Sequence, residues 1–332
     1  MTQRPSPPRA APPGEPARCP FCGSAAAVFY DRLRDRLCGT PGEWTLVRCA
    51  NRRCGLVFLD PAPDESALAR AYEVYYTHDE GDPRPDESHG WPRSMFHGVN
   101  LALLRASGVL AEQRRVKLSY LDGQPTGRVL EVGCGGGRRL AELRSLGWEV
   151  VGQEVDGRAA EVARKAHGLE VLVGPLENLK LPAASFDAVI SNHVIEHVRE
   201  PVKLLAECWR VLGRGGRLVA VTPNVDGFSR HILGRSWRGF EAPRHLHIFS
   251  RRTLGILGGR AGIPSARVWT TAANTFIFAT RSMDAPDAAL TQGRAGAVLA
   301  MRVVGAVLQH VAGAVHAIVP SSGDECVLWA VK

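Results

Sequence analysis

The chain has 332 residues, 45% of them hydrophobic, and a formal net charge of +8. The length allows a domain of about 200 residues with a smaller partner, and the composition describes a globular protein, which excludes a wholly disordered or fibrous chain. Residues 1–18 are rich in Pro, Arg and Ala and contain no apolar run. We therefore expect a disordered tail, no secretory signal and a cytoplasmic protein.

Four of the eight cysteines form two closely spaced pairs that are separated by 26 residues, and a glycine follows each pair. Two such knuckles can close a tetrahedral four-cysteine zinc site, which would hold together a segment too small for its own core. This predicts a structural zinc ribbon over residues 19–60. Disulfides or unconnected thiols are the alternative, which a cytoplasmic setting disfavours, and Cys38 could compete as a ligand. The predicted zinc ligands are Cys19, Cys22, Cys49 and Cys54.

A connecting segment follows the ribbon, and we expect it to form a helical lid or linker over residues 61–126. Residues 67–76 indicate a helix that ends in two tyrosines. Residues 79–94 are charged and rich in Pro and Gly, which is typical of a mobile loop. Residues 95–121 then predict a helix that docks onto a sheet.

The stretch Arg128–Gly137 predicts a buried strand and a glycine-rich turn that lead into a helix over 138–146. This is the first unit of a doubly wound α/β sheet, in which ligands lie beyond the carboxyl ends of the strands. A dinucleotide fingerprint would need glycine at position 138, where this chain has Arg. Glu131 would repel a pyrophosphate but favour the ammonium and sulfonium of S-adenosylmethionine. The predicted donor loop comprises Glu131, Gly133, Cys134, Gly135 and Gly137.

Three further segments alternate with helical patterns and extend the sheet. Residues 147–154 predict a second strand with Glu154 at its acidic end, about 20 residues past the turn, where it can accept both ribose hydroxyls. Residues 169–173 and 186–191 predict the third and fourth strands. This alternation implies a parallel sheet with right-handed crossovers.

The motif Val129-Leu-Glu-Val-Gly-Cys-Gly-Gly-Gly137 together with Glu154 resembles that of class I S-adenosylmethionine-dependent methyltransferases, over about residues 127–280 plus the last strand. The resemblance implies a Rossmann-like domain over 127–332 whose last strand is antiparallel, with an apolar helical insertion at about 283–322. Relatives often have Gly-Asp where this chain has Gly-Pro. The adenine contacts are then expected from Leu176 and Glu177, and Asn192 is expected in the same donor site.

The order of the ribbon, Leu59-Asp-Pro-Ala-Pro63 and Tyr75-Tyr-Thr-His78 looks like that of a bacterial methyltransferase subfamily with an N-terminal zinc ribbon. Many members act on sugars and other biosynthetic intermediates. This resemblance implies that Tyr75, Tyr76 and His78 approach the substrate from a lid, although interface packing is the alternative for a tyrosine-rich helix end.

The base that accepts the acceptor's proton is expected on the loops after strands four and five, which face the donor methyl in this topology. His245 is the preferred base because the pKa of histidine lies near neutrality. Binding of its ring to a backbone carbonyl is the alternative, and His247 is its rival. His193 and His197 are expected to share a helix face as orienting groups.

The acceptor is expected to be anionic, because arginines gather in the basic and aromatic segment 229–249, where Trp237 and Arg244 are predicted substrate contacts. A sugar hydroxyl on a nucleotide-linked or lipid-linked carrier fits. An RNA methyltransferase with a zinc ribbon is the rival, but aromatic groups are not interleaved with long basic runs, so a nucleic acid is not the expected partner. A non-catalytic ribbon scaffold is the alternative from another class.

Residues 295–319 are apolar, but Arg302, Gln309 and His316 recur every seven residues. A central arginine disfavours a membrane span. We expect an amphipathic helix that packs on the domain, with peripheral contact at the inner membrane face as the alternative. No oligomeric state is predicted.

Overall fold

The computed structural model describes residues 17–72, 91–283 and 295–332. Eleven strands and ten helices are assigned within these residues. The strands are β1 (Ala26–Leu33), β2 (Trp44–Cys49), β3 (Val57–Leu59), β4 (Arg128–Val132), β5 (Glu149–Glu154), β6 (Glu170–Val173), β7 (Phe186–Asn192), β8 (Leu212–Pro223), β9 (His247–Ile248), β10 (Arg267–Thr271) and β11 (Glu325–Val331). The helices are α1 (Glu65–Tyr72), α2 (Trp91–Ala106), α3 (Val109–Lys117), α4 (Arg138–Ser145), α5 (Gly157–His167), α6 (Pro201–Val211), α7 (Phe228–Leu233), α8 (Arg251–Arg260), α9 (Thr275–Met283) and α10 (Ala295–Ile318).

The larger sheet has seven strands in the order β10-β11-β8-β7-β4-β5-β6. The pairs β4–β5, β4–β7, β5–β6 and β7–β8 are parallel, whereas β11 runs antiparallel to both β8 and β10. The predicted doubly wound sheet with an antiparallel last strand is therefore confirmed. The carboxyl ends of β4, β5 and β7 lie at one edge, as the sequence indicated.

Two layers of helices cover this sheet. Successive residues of a strand point to opposite faces, and β4 illustrates this, because Leu130 and Val132 belong to one buried apolar cluster and Val129 to another. The first cluster receives side chains from α6 and α8, and the second receives them from α4 and α5. The sheet is thus buried on both faces, as parallel sheets usually are.

The long helix predicted over 95–121 is two helices in the structure. Gly108 separates α2 from α3 and has a φ of 75°, which lies in the left-handed region that glycine adopts without steric cost. The periodic pattern indicated the helices but not the break, since glycine is tolerated within a helical pattern.

A second sheet of four strands has the order β1-β2-β3-β9. Its first three strands come from the predicted ribbon, but β9 comes from the segment that follows the larger sheet's strand β8. Val57 pairs with Ile248 and Phe58 with His247. The N-terminal ribbon and the segment 229–249 are therefore parts of one hydrogen-bonded sheet, which crosses the predicted domain boundaries.

Helix α10 lies between β10 and β11 in the chain, where the apolar insertion was expected. It is long and apolar enough to cross a membrane by length and composition, with a mean hydropathy of 1.7, and 22% of that stretch is buried. The buried Gln309 amide ties it to the domain, because Nε2 donates to the carbonyl of Ala272 and Oε1 accepts from the amide of Phe276.

Candidate donor and acceptor sites

The donor loop adopts a conformation that requires glycine. Gly133, Gly135 and Gly137 have φ values of 69°, 51° and 77°, a region that L side chains rarely occupy. An added Cβ at Gly133 would lie 2.4 Å from the side chain of Val194, and one at Gly137 would lie 2.4 Å from that of Leu169. The loop therefore leaves strand β4 in a tight turn that larger residues could not form.

Two buried acceptor atoms at the ends of neighbouring strands have no hydrogen-bond partner among the described residues. These are Oε2 of Glu131 on β4 and Oδ1 of Asn192 on β7. The other oxygen of Glu131 accepts from Arg139 at 2.6 Å, and Nδ2 of Asn192 donates to the hydroxyl of Ser119. Burial raises the pKa of Glu131 against the opposing effect of Arg139. Unpaired buried acceptors are rare, and these two suit the ammonium group of an amino-acid ligand.

Glu154 at the end of β5 is held by the donor loop itself. One carboxylate oxygen accepts from the amide of Gly135 at 2.8 Å, and the other accepts from the amides of Val155 and Asp156. The carboxylate is therefore oriented at the sheet edge, where the ribose hydroxyls were predicted to bind.

The predicted adenine contacts lie on a short 3-10 turn after β6. The Leu176 side chain is buried in the core, and Glu177 is exposed to solvent. The turn follows Gly174, whose carbonyl accepts from the side-chain amide of Gln153 and whose amide donates to Glu154. These contacts connect the turn to the strand that carries the ribose acid.

The segment after β7 is not helical, so the predicted shared helix face of His193 and His197 is wrong. His193 has a φ of 54°, and α6 begins only at Pro201. Proline is suited to the first position of a helix. Because His193 leaves the helical region of φ, the turn aims it towards strand β11 instead.

His193 lies between two carboxylates. Its Nε2 is 2.8 Å from Oε1 of Glu325, and its Nδ1 is 3.3 Å from Oε1 of Glu196. Burial opposes the charged ring, but hydrogen bonds and charges from both carboxylates outweigh it and raise the pKa of His193 to about 10. In this environment His193 carries a proton at neutral pH, which suits an orienting group.

His197 and His245 meet edge to face, with ring centroids 4.6 Å apart. Nδ1 of His245 lies 2.8 Å from the carbonyl oxygen of Gly239, and Nδ1 of His197 lies 2.9 Å from the Tyr72 hydroxyl and 3.2 Å from the carbonyl oxygen of Arg244. A carbonyl oxygen accepts only from N–H, so these contacts assign a hydrogen to Nδ1 of both rings and leave Nε2 as the other ring nitrogen. Burial and the neighbouring His245 lower the pKa of His197 to about 4.

A cleft of about 620 Å³ adjoins these rings. Its walls come from the turn after β7, the segment before β9, helix α9 and the first residue of β11. The residues that line it are His193, His197, Pro223, Arg238, Gly239, Glu241, His245, Asn274, Ile277, Phe278 and Glu325. The cleft brings the three predicted histidines together on the acceptor side of the sheet edge.

Neither Trp237 nor Arg244, the two predicted substrate contacts, lines this cleft. The prediction for Arg244 is wrong because its side chain is buried, whereas Trp237 lines the second cleft described below. Trp237 is 2% exposed, stacks on Phe278 and donates from Nε1 to the hydroxyl of Ser229. Arg244 is fully buried and binds Asp35 through both terminal nitrogens, at 2.7 and 2.9 Å. The basic and aromatic character of the segment therefore reflects a core and a buried ion pair at these two positions.

Tyr75, Tyr76 and His78 lie outside the described residues. The last described residue of α1 contacts a residue of the cleft, because the Tyr72 hydroxyl lies 2.9 Å from Nδ1 of His197. His247, the rival base, is buried, and its ring stacks near Phe21 and Phe249.

A second cleft of about 610 Å³ is lined by arginines and shares Arg238 and Glu241 with the first. Arg235 and Arg36 cross between the ribbon and the segment 229–249, because each donates to a backbone carbonyl on the other side. The arginines in its wall are Arg34, Arg36, Arg235, Arg238 and Arg281.

The four predicted zinc ligands converge, with their sulfur atoms all within 4.8 Å of one another. Sγ of Cys19 is 3.7 Å from that of Cys54, and Sγ of Cys22 is 3.4 Å from that of Cys49. All eight cysteines lie in described residues and are free of disulfides. Four thiolates at such separations suit a tetrahedral ion with zinc–sulfur bonds of about 2.3 Å. Cys38 is outside this group.

The sequence-based reasoning missed several residues of the site. Glu325 is the most informative, since the prediction that the last strand is antiparallel already implied that its first residue would lie beside the carboxyl ends of β7 and β8. Arg139 is the second residue of α4, directly after the Arg138 that stands where a dinucleotide fingerprint would need glycine. Asp35 had no signal, because its partner Arg244 is more than 200 positions away.

Comparison with known proteins agrees with this architecture. Residues 130–220 match the family described as methyltransferase domain. A ubiquinone biosynthesis O-methyltransferase of Cereibacter sphaeroides is 33% identical over 131 residues, which is 37% of this chain and 53% of the relative. A probable S-adenosylmethionine-dependent methyltransferase of Mycolicibacterium smegmatis is 36% identical over 102 residues, which is 30% of this chain and 40% of the relative.

A solved S-adenosylmethionine-dependent methyltransferase of Thermotoga maritima, a possible histamine N-methyltransferase, aligns with 72% of this chain and 97% of its own, at 24% identity and a TM-score of 0.44. The chain spans about half the length or less of the two curated relatives described above. Over residues 130–220 the chain is therefore similar to S-adenosylmethionine-dependent methyltransferases. The zinc-ribbon subfamily stays a prediction.

Proposed function

We propose that this protein transfers the methyl group of S-adenosylmethionine to a hydroxyl oxygen of a small or lipid-linked anionic acceptor, such as a sugar or a related biosynthetic intermediate. The observation that carries the proposal is the cleft with three histidines, which opens beside the carboxyl ends of β7 and β8 in the sheet that also carries the donor loop. The name O-methyltransferase, borne by the Cereibacter relative, supports oxygen as the acceptor atom.

The donor is an activated sulfonium, so the protein's task is to bind it and to align the acceptor. Oε2 of Glu131 and Oδ1 of Asn192 would receive its ammonium group, because both are buried acceptors without a partner in the described residues. Glu154 would accept the ribose hydroxyls in exchange for some of its present backbone contacts. The glycine turn leaves room for the donor to lie close to the backbone.

The acceptor hydroxyl would bind in the histidine-lined cleft. During transfer the carbon–sulfur bond breaks, a carbon–oxygen bond forms, S-adenosylhomocysteine leaves, and the hydroxyl loses its proton. His245 is the preferred residue to take the proton of the hydroxyl, because the carbonyl of Gly239 fixes its ring through Nδ1 and the hydroxyl would bind at Nε2. General-base assistance of this kind contributes about 10²- to 10⁴-fold to rates.

The adjoining arginine cleft supports an anionic acceptor. Arg36, Arg235 and Arg281 line it, and the acids in its wall, Asp35 and Glu241, are already engaged with Arg244. Guanidinium groups bind phosphate and carboxylate through paired hydrogen bonds. A phosphate or diphosphate ester beside the sugar would suit this cleft.

We further propose that the four converging cysteines bind a structural zinc ion. A zinc ion bound there would contribute folding free energy directly. Metal analysis of the purified protein should find one zinc per chain, and Cys54→Ser should lose it. A chain with intact fold and no zinc would contradict the assignment.

The proposal is tested by calorimetry with S-adenosylmethionine and by a labelled-methyl screen over nucleotide sugars and lipid-linked saccharides. Donor binding together with transfer to an oxygen of one of these supports it. Absence of donor binding would favour the non-catalytic scaffold. Transfer to RNA with steeply salt-dependent binding would favour the RNA alternative.

A further inference from the structure

Three side chains of the acceptor cleft form a cluster whose composition resembles a metal-binding site. Glu196, His197 and His245 each offer one ligand atom, and these atoms lie within 4.8 Å of one another. Glu196 is fully buried, and His245 is 4% exposed. None of the three is a ligand of the cysteine site.

Each of these side chains is anchored at one atom, which leaves another for a ligand. Oε2 of Glu196 accepts from the hydroxyl of Thr222 at 2.9 Å. Nδ1 of His245 is fixed by the carbonyl of Gly239, and Nδ1 of His197 by oxygens of Tyr72 and Arg244. Metal-binding histidines almost always donate their second N–H to such an oxygen, and metal-binding carboxylates are likewise hydrogen-bonded.

Oε1 of Glu196 is the second, independent observation. It is buried, and its contact in the described part of the chain is with the ring of His193. Nδ1 of His193, at 3.3 Å, is the positive group that now faces it. A buried carboxylate oxygen is costly unless it is paired with a cation, and a bound metal ion could take the place of His193 there. His193 is therefore the group with which a bound cation would compete.

We propose that Glu196, His197 and His245 bind one divalent transition-metal cation in the acceptor cleft. Two imidazoles and a carboxylate suit zinc, manganese or iron(II) better than calcium. The inference rests on the proposed function for the place of the acceptor. The cation would bind the acceptor hydroxyl and lower its pKa, so that its proton could pass to water in the cleft. His245 would then hold the cation instead of taking the proton itself.

The test uses the full chain with its cysteine site loaded with zinc and then titrated with Co²⁺. We expect one further equivalent to bind, with visible bands of a nitrogen and oxygen site and without the near-ultraviolet bands of cobalt–thiolate bonds. Glu196→Gln and His245→Ala should lose this equivalent. His231→Ala, which removes a histidine on α7 away from the cluster, should retain it.

Thr222→Val tests the outer hydrogen bond without removing a ligand, and it should weaken Co²⁺ binding about 10- to 100-fold. His193→Gln removes the competing imidazolium and should bind Co²⁺ at least as tightly as the wild type. Circular dichroism and S-adenosylmethionine binding verify the fold of every variant, and His197→Gln replaces any variant that does not fold.

Absence of the further equivalent, or its persistence in both Glu196→Gln and His245→Ala, would overturn the metal site. Methyl transfer that is insensitive to chelators would also overturn the metal site, while leaving the proposed function intact. Failure of the wild type to bind S-adenosylmethionine would instead overturn the proposed function, whatever the result with Co²⁺.

Discussion

The donor side and the acceptor side of this protein are built in different ways. The donor loop, Glu131 and Glu154 belong to two consecutive strands and the turn between them, within about 25 residues of sequence. The acceptor cleft takes residues from the turn after β7, from the segment before β9, from α9 and from β11. The ribbon supports the acceptor cleft through Asp35, which binds Arg244, the residue before His245.

This difference explains why the donor is easy to recognise and the acceptor is not. The donor residues follow from local geometry, since strand, glycine turn and helix determine where each side chain lies. The acceptor residues meet only through long-range contacts, such as those of His193 with Glu325 and of Arg244 with Asp35. We therefore expect substitutions on the donor side to weaken S-adenosylmethionine binding. Substitutions on the acceptor side should slow methyl transfer and leave donor binding unchanged.

The largest effect is expected for His245→Ala. Loss of the ring should lower the rate of methyl transfer by about 10²- to 10⁴-fold, because the acceptor hydroxyl loses its contact, while S-adenosylmethionine binding stays unchanged. A labelled-methyl assay and calorimetry measure the two quantities. Turnover that stays within twofold of the wild type would show that the acceptor side does not depend on His245.

Asp35→Asn should destabilise the fold through the acceptor side. It leaves the fully buried Arg244 without its charge partner, and breaking a buried pair in this way costs about 3–5 kcal/mol. Denaturant unfolding measures the loss, with Asp31→Asn, an exposed aspartate, as the control. Equal stabilities of the two variants would contradict the role of the ion pair.

The same pair predicts a pH dependence. Burial opposes ionisation, but Arg244 and neighbouring hydrogen bonds hold the pKa of Asp35 well below its usual range. A depressed pKa adds stability above the pKa of an unfolded aspartate, about 3.9, and this stability is lost as the pH falls towards the folded value. The advantage of the wild type over Asp35→Asn should therefore shrink in acid.

A smaller effect, confined to the donor side, is expected for Glu154→Gln. Hydrogen bonds to a charged group contribute about 1.5–3 kcal/mol, so S-adenosylmethionine binding should weaken about 10- to 100-fold. Glu149→Gln, at the exposed start of the same strand, is the matched control for calorimetry. An unchanged Kd for Glu154→Gln would remove the ribose assignment.

The smallest effect on stability is expected at the exposed apolar face of α10. Val304, Val307 and Val311 are 45%, 54% and 43% exposed and lie on one side of the helix. If the acceptor is lipid-linked, this face would rest on an anionic membrane surface, and the protein should float with liposomes. Val307→Glu should abolish flotation and change the free energy of unfolding by less than about 0.5 kcal/mol. The control Val155→Glu, at another exposed valine, should have an equally small effect on stability and keep flotation. A wild type that does not float would confine α10 to packing.

The fold was largely predictable from the chain, and the donor site with it. The strand limits at 128–132 and 186–191 matched the structure to within one residue, because buried parallel strands are continuous apolar runs bounded by turn residues. The break at Gly108 was not predictable from periodicity alone. Glu131, Glu154 and the glycines followed from where a strand must end.

The acceptor side was predictable only in part, since residue type does not distinguish a ligand contact from a core contact. Trp237 and Arg244 were expected at the substrate, yet the tryptophan fills an apolar cluster and the arginine neutralises Asp35. His245 lines the cleft and also makes the carbonyl contact that was the alternative for its role, and its role as the base stays a prediction. The two interpretations of that residue are therefore compatible.

Strand β9 has a consequence for synthesis of the chain on the ribosome. The sheet that begins at Ala26 is completed by His247 and Ile248, so its edge strand β3 remains unpaired on that side until most of the polypeptide has been translated. An open strand edge is a template for wrong pairing. We therefore expect the emerging N-terminal segment to be prone to aggregation until β9 has been translated. Pairing of β3 with β9 removes this open edge in the folded protein.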